Sequence, residues 1–308
     1  MSILEDEDPS LLLVVLDASS AFWTKREANR MRPDQGADMK LSTFQETVEG
    51  TLLFVESYLM MHRRNNVCFV ACSGIESTML FPTAALEQEQ RSLAAGSVSS
   101  KEFHEFIRVG LEGVVAREAS RADSAAEGYM LAGGLSKGLC FINSKLQQSP
   151  STQARVLILS GAPDVPEGYN AVMNAIFSAQ KAGVLVDCCV LGLHSIFLQQ
   201  AAYLTGGLYL QCREPGIVEY LIATFLPSQS CRKYLKLRKQ RTVDFRAACF
   251  CHKRVVDIAY VCSVCLSVFC EFSPVCSTCG TRAWPKKASK SKKRPLKNLT
   301  NGQPGSHT

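Results

Sequence analysis

The stretch Leu11-Leu-Leu-Val-Val-Leu16 is apolar at every position and stops at Asp17. A strand with two apolar faces has to be covered by helices on both sides, so it predicts a buried strand of a mainly parallel sheet. Residues Val67 to Cys72 and Thr78 to Phe81, parted by Ser73-Gly-Ile-Glu-Ser77, predict a second strand and a short antiparallel partner at the sheet edge. Further strands are predicted at Arg155 to Leu159, Val184 to Leu191 and Leu208 to Leu210. Between them the apolar spacing lengthens to the helical period. Ser42 opens one helix, with Gln45 completing a capping box, and Phe44, Val48, Leu52, Val55 and Leu59 fall on one face. Other helices are predicted over about 101–120, 127–146, 168–182, 196–204 and 216–225. Gly183 caps the third of these, and Pro227 stops the last. Six strands with helical crossovers over 11–226 predict an α/β fold wound on both faces of its sheet.

Outside that span the periodicity dissolves. Residues 1–10 read as an acidic tail, 86–100 as a polar surface insertion, and 227–248 as a connector with a basic run from Arg232 to Arg241. A cysteine-rich module fills 249–284. From 285 to 308 the chain is Lys, Ser, Pro, Gly and Asn with almost nothing to bury, which predicts disorder.

Composition sharpens this division. With 46% hydrophobic and 20% charged residues in 308, a chain disordered throughout is excluded. No apolar run approaches the roughly 18 residues that span a bilayer. The start Glu5-Asp-Glu-Asp8 is the reverse of a basic signal peptide, so an intracellular chain with reduced thiols is expected. The net charge of +6 suggests a nucleic-acid partner until it is located. Seven basic residues lie between Lys286 and Lys297 with no acidic one, and removing them leaves the remainder at −1. The charge then marks a tail that serves as a nuclear-localisation signal or touches phosphate weakly.

Seven of the fourteen cysteines lie within the 31 residues from Cys249 to Cys279. In a reducing compartment that density reads as metal ligation rather than disulfides. Cys262-Ser-Val-Cys265 and Cys276-Ser-Thr-Cys279 are two C-x-x-C knuckles, and together they offer the tetrahedral four-thiolate shell that zinc prefers. So few apolar residues accompany them that the module should depend on the metal to fold. Cys249, Cys251, His252 and Cys270 are candidates for a second zinc. A cross-braced RING-like arrangement would join Cys249 and His252 to Cys270 and position 273, but that position is Ser273, a poor zinc ligand. The second site is then either lost or completed by Cys251, and the other reading packs these thiols as small hydrophobes.

The end of the first strand is the other place where a ligand would sit in such a sheet. Asp17-Ala-Ser-Ser-Ala21 is similar to the D-x-S-x-S metal loop of von Willebrand factor A domains. It departs from that pattern at Ala21. Ser160-Gly161 stands where the family has an aspartate, and Tyr129-Met-Leu-Ala-Gly133 offers no hydroxyl where it has a threonine. With those oxygens missing, magnesium binding and cation-dependent adhesion are not expected, and Asp17 reads as a cap on a loop or helix start. Asp187, His194, Ser160 and Asp164 have no G-x-S-x-G elbow, and Gly206-Gly207 lacks the context for cradling phosphate, so no enzyme is expected.

Taken in order, the metal-poor von Willebrand A pattern, Ala247-Ala-Cys-Phe-Cys-His-Lys253, Tyr260-Val-Cys-Ser-Val-Cys-Leu-Ser-Val-Phe-Cys270, Cys276-Ser-Thr-Cys279 and the lysine tail resemble one family. It is that of general transcription factor IIH subunit 3, the smaller von Willebrand A subunits of the TFIIH core. The resemblance implies a non-enzymatic nuclear scaffold that binds the larger von Willebrand A subunit and supports promoter opening and nucleotide excision repair by the XPB and XPD helicases. It also implies zinc on Cys262, Cys265, Cys276 and Cys279. A RING-type ubiquitin ligase and a direct nucleic-acid binder remain the alternatives.

Overall fold

In the computed structural model the strand β1 (Ser10–Asp17) lies inside a six-stranded sheet with neighbours on both sides. The strands β2 (Asn66–Cys72), β3 (Ser77–Phe81), β4 (Gln153–Ser160), β5 (Leu185–Val190) and β6 (Tyr209–Gln211) complete it in the order β3-β2-β1-β4-β5-β6. All pairings are parallel except β2 with β3, which forms the predicted antiparallel edge. The structure describes residues 9–30, 42–82, 100–121, 130–165, 168–212, 216–237, 243, 245–246, 249–252, 256–265 and 267–282. The acidic start, nearly all of the 86–100 insertion and the lysine tail lie outside them. The chain divides into two compact units, Met1–Arg246 and Ala247–Thr308. No helix among the described residues is long and apolar enough to cross a membrane.

Every residue from Leu11 to Leu16 is buried, because the two faces feed two separate cores. Leu11, Leu13 and Val15 pack with the helices α4 (Leu131–Gln148), α5 (Tyr169–Lys181) and α6 (Ile196–Thr205). Leu12, Val14 and Leu16 face α2 (Phe44–Met61), α3 (Ser100–Ser120) and the chain's return through α7 (Ile217–Tyr220). Burying each of these aliphatic side chains stabilises the fold by about 1.5–3 kcal/mol relative to exposure.

Three local readings of the sequence are corrected. The capping box of α2 is built from Thr43 and Glu46, not Ser42 and Gln45: Glu46 N–H donates to Thr43 Oγ1 at 3.0 Å and Thr43 N–H to the Glu46 carboxylate at 2.9 Å. Ser42 is instead buried, its carbonyl accepting from Arg26 Nε at 2.8 Å. The helix expected from 127 starts at Leu131. The last helix bulges into a π turn over Leu221–Phe225, with Leu226 N–H reaching back to the Leu221 carbonyl at 3.1 Å, an insertion that a hydrophobic period does not encode. By contrast, Gly183 takes up the left-handed conformation expected of it, at φ 69°.

A further helix, α1 (Ser20–Arg30), follows β1 directly and was not predicted. It decides what the crevice at the end of β1 can be. The fully buried Asp17 carboxylate accepts three backbone N–H groups, from Ser19 at 3.0 Å, Gly161 at 2.9 Å and Ala162 at 2.6 Å. Burial raises its pKa above the ordinary range while those hydrogen bonds oppose the shift. Phe22 then lies over Gly161 so closely that a Cβ there would stand 2.0 Å from the ring. Arg26 fills the rest. Its guanidinium is 5.6 Å from the Phe22 ring centre and 5.7 Å from that of Trp23, and it donates to the backbone carbonyls of Ser42 and Leu191. The switch point is thus stapled by Asp17 and covered by aromatic rings and a buried arginine.

Near the amino ends of β4 and β5 a second charged cluster ties down the connector. Its first turn, α8 (Gln229–Arg232), places Arg232 against Asp187 in a bidentate pair of 2.9 and 2.6 Å, both side chains largely buried. Asp187 also accepts from Leu208 N–H at 2.9 Å, and Arg155 donates to the carbonyl of Phe225, the last residue of the π turn, at 2.7 Å. Replacing Arg232 by Met leaves a buried carboxylate unpaired and is expected to cost about 3–5 kcal/mol in urea unfolding, with Arg232→Met/Asp187→Leu recovering part of it. For the other cluster, Asp17→Ala strands three donors and is expected to lose at least about 1–3 kcal/mol. The native melting temperature should not move with millimolar magnesium, and a saturating rise would restore the cation reading.

Candidate metal centre

Among the described residues of the second unit the regular structure is a two-stranded ribbon, β7 (Tyr260–Val261) with β8 (Val268–Phe269). Among the described residues of this unit the only buried apolar side chains are Cys249, Phe269 and Cys276. A core of that size cannot order the loops around it. The cysteines do converge: Cys262, Cys265, Cys276 and Cys279 each bring a sulfur, and all four lie within 4.8 Å of one another. Cys249, Cys251, His252 and Cys270 form a second group on the same criterion.

The first group is made by two turns of the same design. In each, the N–H of the leading cysteine donates to a carbonyl five residues on, Cys262 to Ser267 at 2.9 Å and Cys276 to Thr281 at 2.8 Å. In each, the hydroxyl of that same residue meets the second sulfur, Ser267 with Cys265 at 3.1 Å and Thr281 with Cys279 at 3.2 Å. The turns face each other so that Cys262 and Cys279 sulfurs are 3.7 Å apart and those of Cys265 and Cys276 are 3.6 Å apart. A tetrahedral zinc with sulfur at about 2.3 Å has edges of about 3.8 Å. The donor set and its spacing fit zinc.

Proton affinities follow the same contacts. The side-chain and backbone hydrogen bonds shared with Thr281 draw the Cys279 thiol down to about 6, and those shared with Ser267 lower Cys265. Such partners favour the thiolate, which is the form that ligates. In the second group the Cys251 sulfur pushes Cys270 up to about 11. Neither Ser267 nor Thr281 was singled out from sequence, although each stands two residues after the second cysteine of its pair.

The second group includes Cys251 and leaves Ser273 out. Cys251 stands in it, with its sulfur 3.4 Å from that of Cys270, and His252 Nδ1 is 3.1 Å from the same sulfur. Ser273 does not join, its hydroxyl donating to the Val275 carbonyl at 2.7 Å.

Asp164, Asp187, His194 and Ser160 do not come together as a hydrolytic set. Asp164 accepts from the N–H groups of Ile196 and Phe197 at the start of α6, Asp187 holds Arg232, and His194 Nδ1 lies 3.0 Å from the Tyr209 hydroxyl. Ser160 is buried at the end of β4.

Comparison with known proteins agrees with this layout. Residues 9–280 match the family model described as transcription factor Tfb4. The chain is 36% identical over 280 residues, 90% of each chain, to the Schizosaccharomyces pombe general transcription and DNA repair factor IIH subunit tfb4. It is 34% identical to the Arabidopsis thaliana subunit TFB4, over 89% of each. In fold it is similar to the crystal structure of the TFIIH p34 N-terminal domain, with a TM-score of 0.53 and 22% identity over 70% of this chain and 97% of that one. The α/β unit is therefore a von Willebrand factor A fold, and the chain belongs to the Tfb4 family of transcription factors.

Proposed function

We propose that this protein is a non-enzymatic scaffold subunit of the TFIIH core, acting in the nucleus in RNA polymerase II transcription initiation and nucleotide excision repair. The observation that carries the reading is the match to the Tfb4 family across nearly the whole chain, cysteine module included. The two clusters of buried charge in the first unit support it, since they hold backbone together rather than face a substrate. A zinc ion on Cys262, Cys265, Cys276 and Cys279 would supply four bonds in place of a hydrophobic core.

The module also exposes several large apolar side chains. Ile258, Tyr260, Val261, Val264, Phe272 and Val275 are all exposed, with the Tyr260 and Phe272 rings 5.9 Å apart. An exposed apolar pair of this kind suits burial against a partner protein. Its partner in this reading is the larger von Willebrand A subunit of TFIIH, through which the chain would support the XPB and XPD helicases. Binding would bury on the order of 1,200–2,000 Å².

One feature speaks for a RING-type ubiquitin ligase, because the two donor groups alternate along the chain as cross-braced sites do. Ubiquitin chain assembly by the purified protein with an E1 and E2 would establish that reading.

Two variants separate folding of the module from its use. Cys262→Ser/Cys265→Ser is expected to release zinc and abolish co-purification with the larger subunit, whereas Ile258→Asp/Tyr260→Asp should keep zinc and weaken binding at least about tenfold, 1.4 kcal/mol. Undiminished co-purification of the first variant with no zinc present would overturn the assignment.

A further inference from the structure

We infer that the module holds a second zinc ion, bound by the sulfurs of Cys249, Cys251 and Cys270 and the imidazole of His252, in a site interlocked with the four-thiolate one. Four donors within 4.8 Å of one another are brought from two distant segments, and the backbone explains how. Phe250 N–H donates to the Val268 carbonyl at 2.7 Å, which docks the turn from Cys249 to His252 against the strand that leads into Cys270. The Phe250 and Phe269 rings pack 6.3 Å apart on the same contact. Cys251 and His252 then both approach the Cys270 sulfur, at 3.4 and 3.1 Å.

Packing alone does not account for this arrangement. Cys249 is buried, as a small hydrophobe would be, but Cys251 and His252 are exposed and gain nothing from hydrophobic burial. A tetrahedral shell with zinc to sulfur at about 2.3 Å and to nitrogen at about 2.0–2.1 Å has edges of about 3.5–3.8 Å. The observed separations require an opening of a few tenths of an ångström to admit the ion. Three soft thiolates with one imidazole in tetrahedral reach select zinc over hard, oxygen-seeking cations. Three thiolates and a neutral imidazole around Zn²⁺ carry a net charge of −1, against −2 for the four-thiolate site, so the two ions differ in ligand field.

The chain order makes the two sites dependent on each other. Cys270 lies between Cys265 and Cys276, so the segment joining the two knuckles of one site is pinned in the middle by the other. The ribbon strand Val268–Phe269 sits between Cys265 and Cys270 and is therefore held by one metal at each end. Losing either ion frees one end of that strand.

The inference shares with the proposed function the premise that the module binds zinc, and metal counting separates them. The full-length chain is expected to carry two zinc ions by elemental analysis and native mass spectrometry, and His252→Ala is expected to carry one. Because a loosened module can shed both, His252→Cys provides the control. It should keep two ions, and in the cobalt-substituted protein its d–d bands should shift toward those of a pure four-thiolate centre. One zinc in the native chain, with no spectral change in His252→Cys, would overturn the second site and leave the first. No zinc in the native chain would overturn both.

Discussion

A central strand with no polar face has to be covered twice, and the first unit is organised by that requirement. Because Leu11 to Leu16 are buried on both sides, helices must occupy both faces of the sheet, and polar groups can be satisfied only at its two ends. At one end Asp17 receives three backbone N–H groups and Arg26 closes the crevice. Near the other, Arg155 and Arg232 take up the carbonyls at the exit of the last helix and Asp187 neutralises Arg232. Charges that in an open α/β enzyme would meet a ligand at the sheet end are here spent on the chain itself. What remains for a partner is the outer surface.

The second unit is organised by the opposite constraint. It has three buried apolar side chains among its described residues, two of them cysteines, so hydrophobic burial cannot select one conformation. Order there comes from hydrogen-bonded turns that aim donors at common points. The two C-x-x-C turns reach this state by the same bonds, cysteine N–H to a carbonyl five residues on and a hydroxyl to the second sulfur. A scaffold with so small a core can leave Ile258, Tyr260 and Phe272 exposed, since its integrity does not depend on burying them.

Much of this was legible in the sequence, for reasons that differ between the units. The central strands were readable because a doubly buried strand is a continuous apolar run, and the two edge strands also stand where the sequence places them. The convergence of Cys262, Cys265, Cys276 and Cys279 was readable because knuckle spacing is short and fixed. Helix α1 was not: Phe22, Trp23 and Arg26 carry out their roles against Gly161, Leu191 and Ser42, which lie far away in the chain. The capping box slipped by one residue for a similar cause, since Ser42 is committed to Arg26 and leaves Thr43 as the cap. The completion of the second donor group by Cys251 depended on where Phe250 docks, a contact with Val268 that spacing alone does not reveal.

The same contrast separates the two places in the chain where metal-binding residue types gather. The end of β1 keeps an aspartate and a serine at the positions where a von Willebrand A metal loop begins, yet Ala21 supplies no oxygen, and Phe22 beside it covers Gly161 where an acidic side chain would have to enter. Restoring Ser at 21 would therefore not restore a cation site, because the Asp17 lone pairs are engaged by Gly161 and Ala162 and the crevice is filled by Phe22 and Arg26. Hard-cation chemistry is closed off by packing as well as by missing ligands. The small module suits thiolate chemistry instead, since its hydrogen-bonded turns bring the sulfurs of Cys262, Cys265, Cys276 and Cys279 within 4.8 Å of one another.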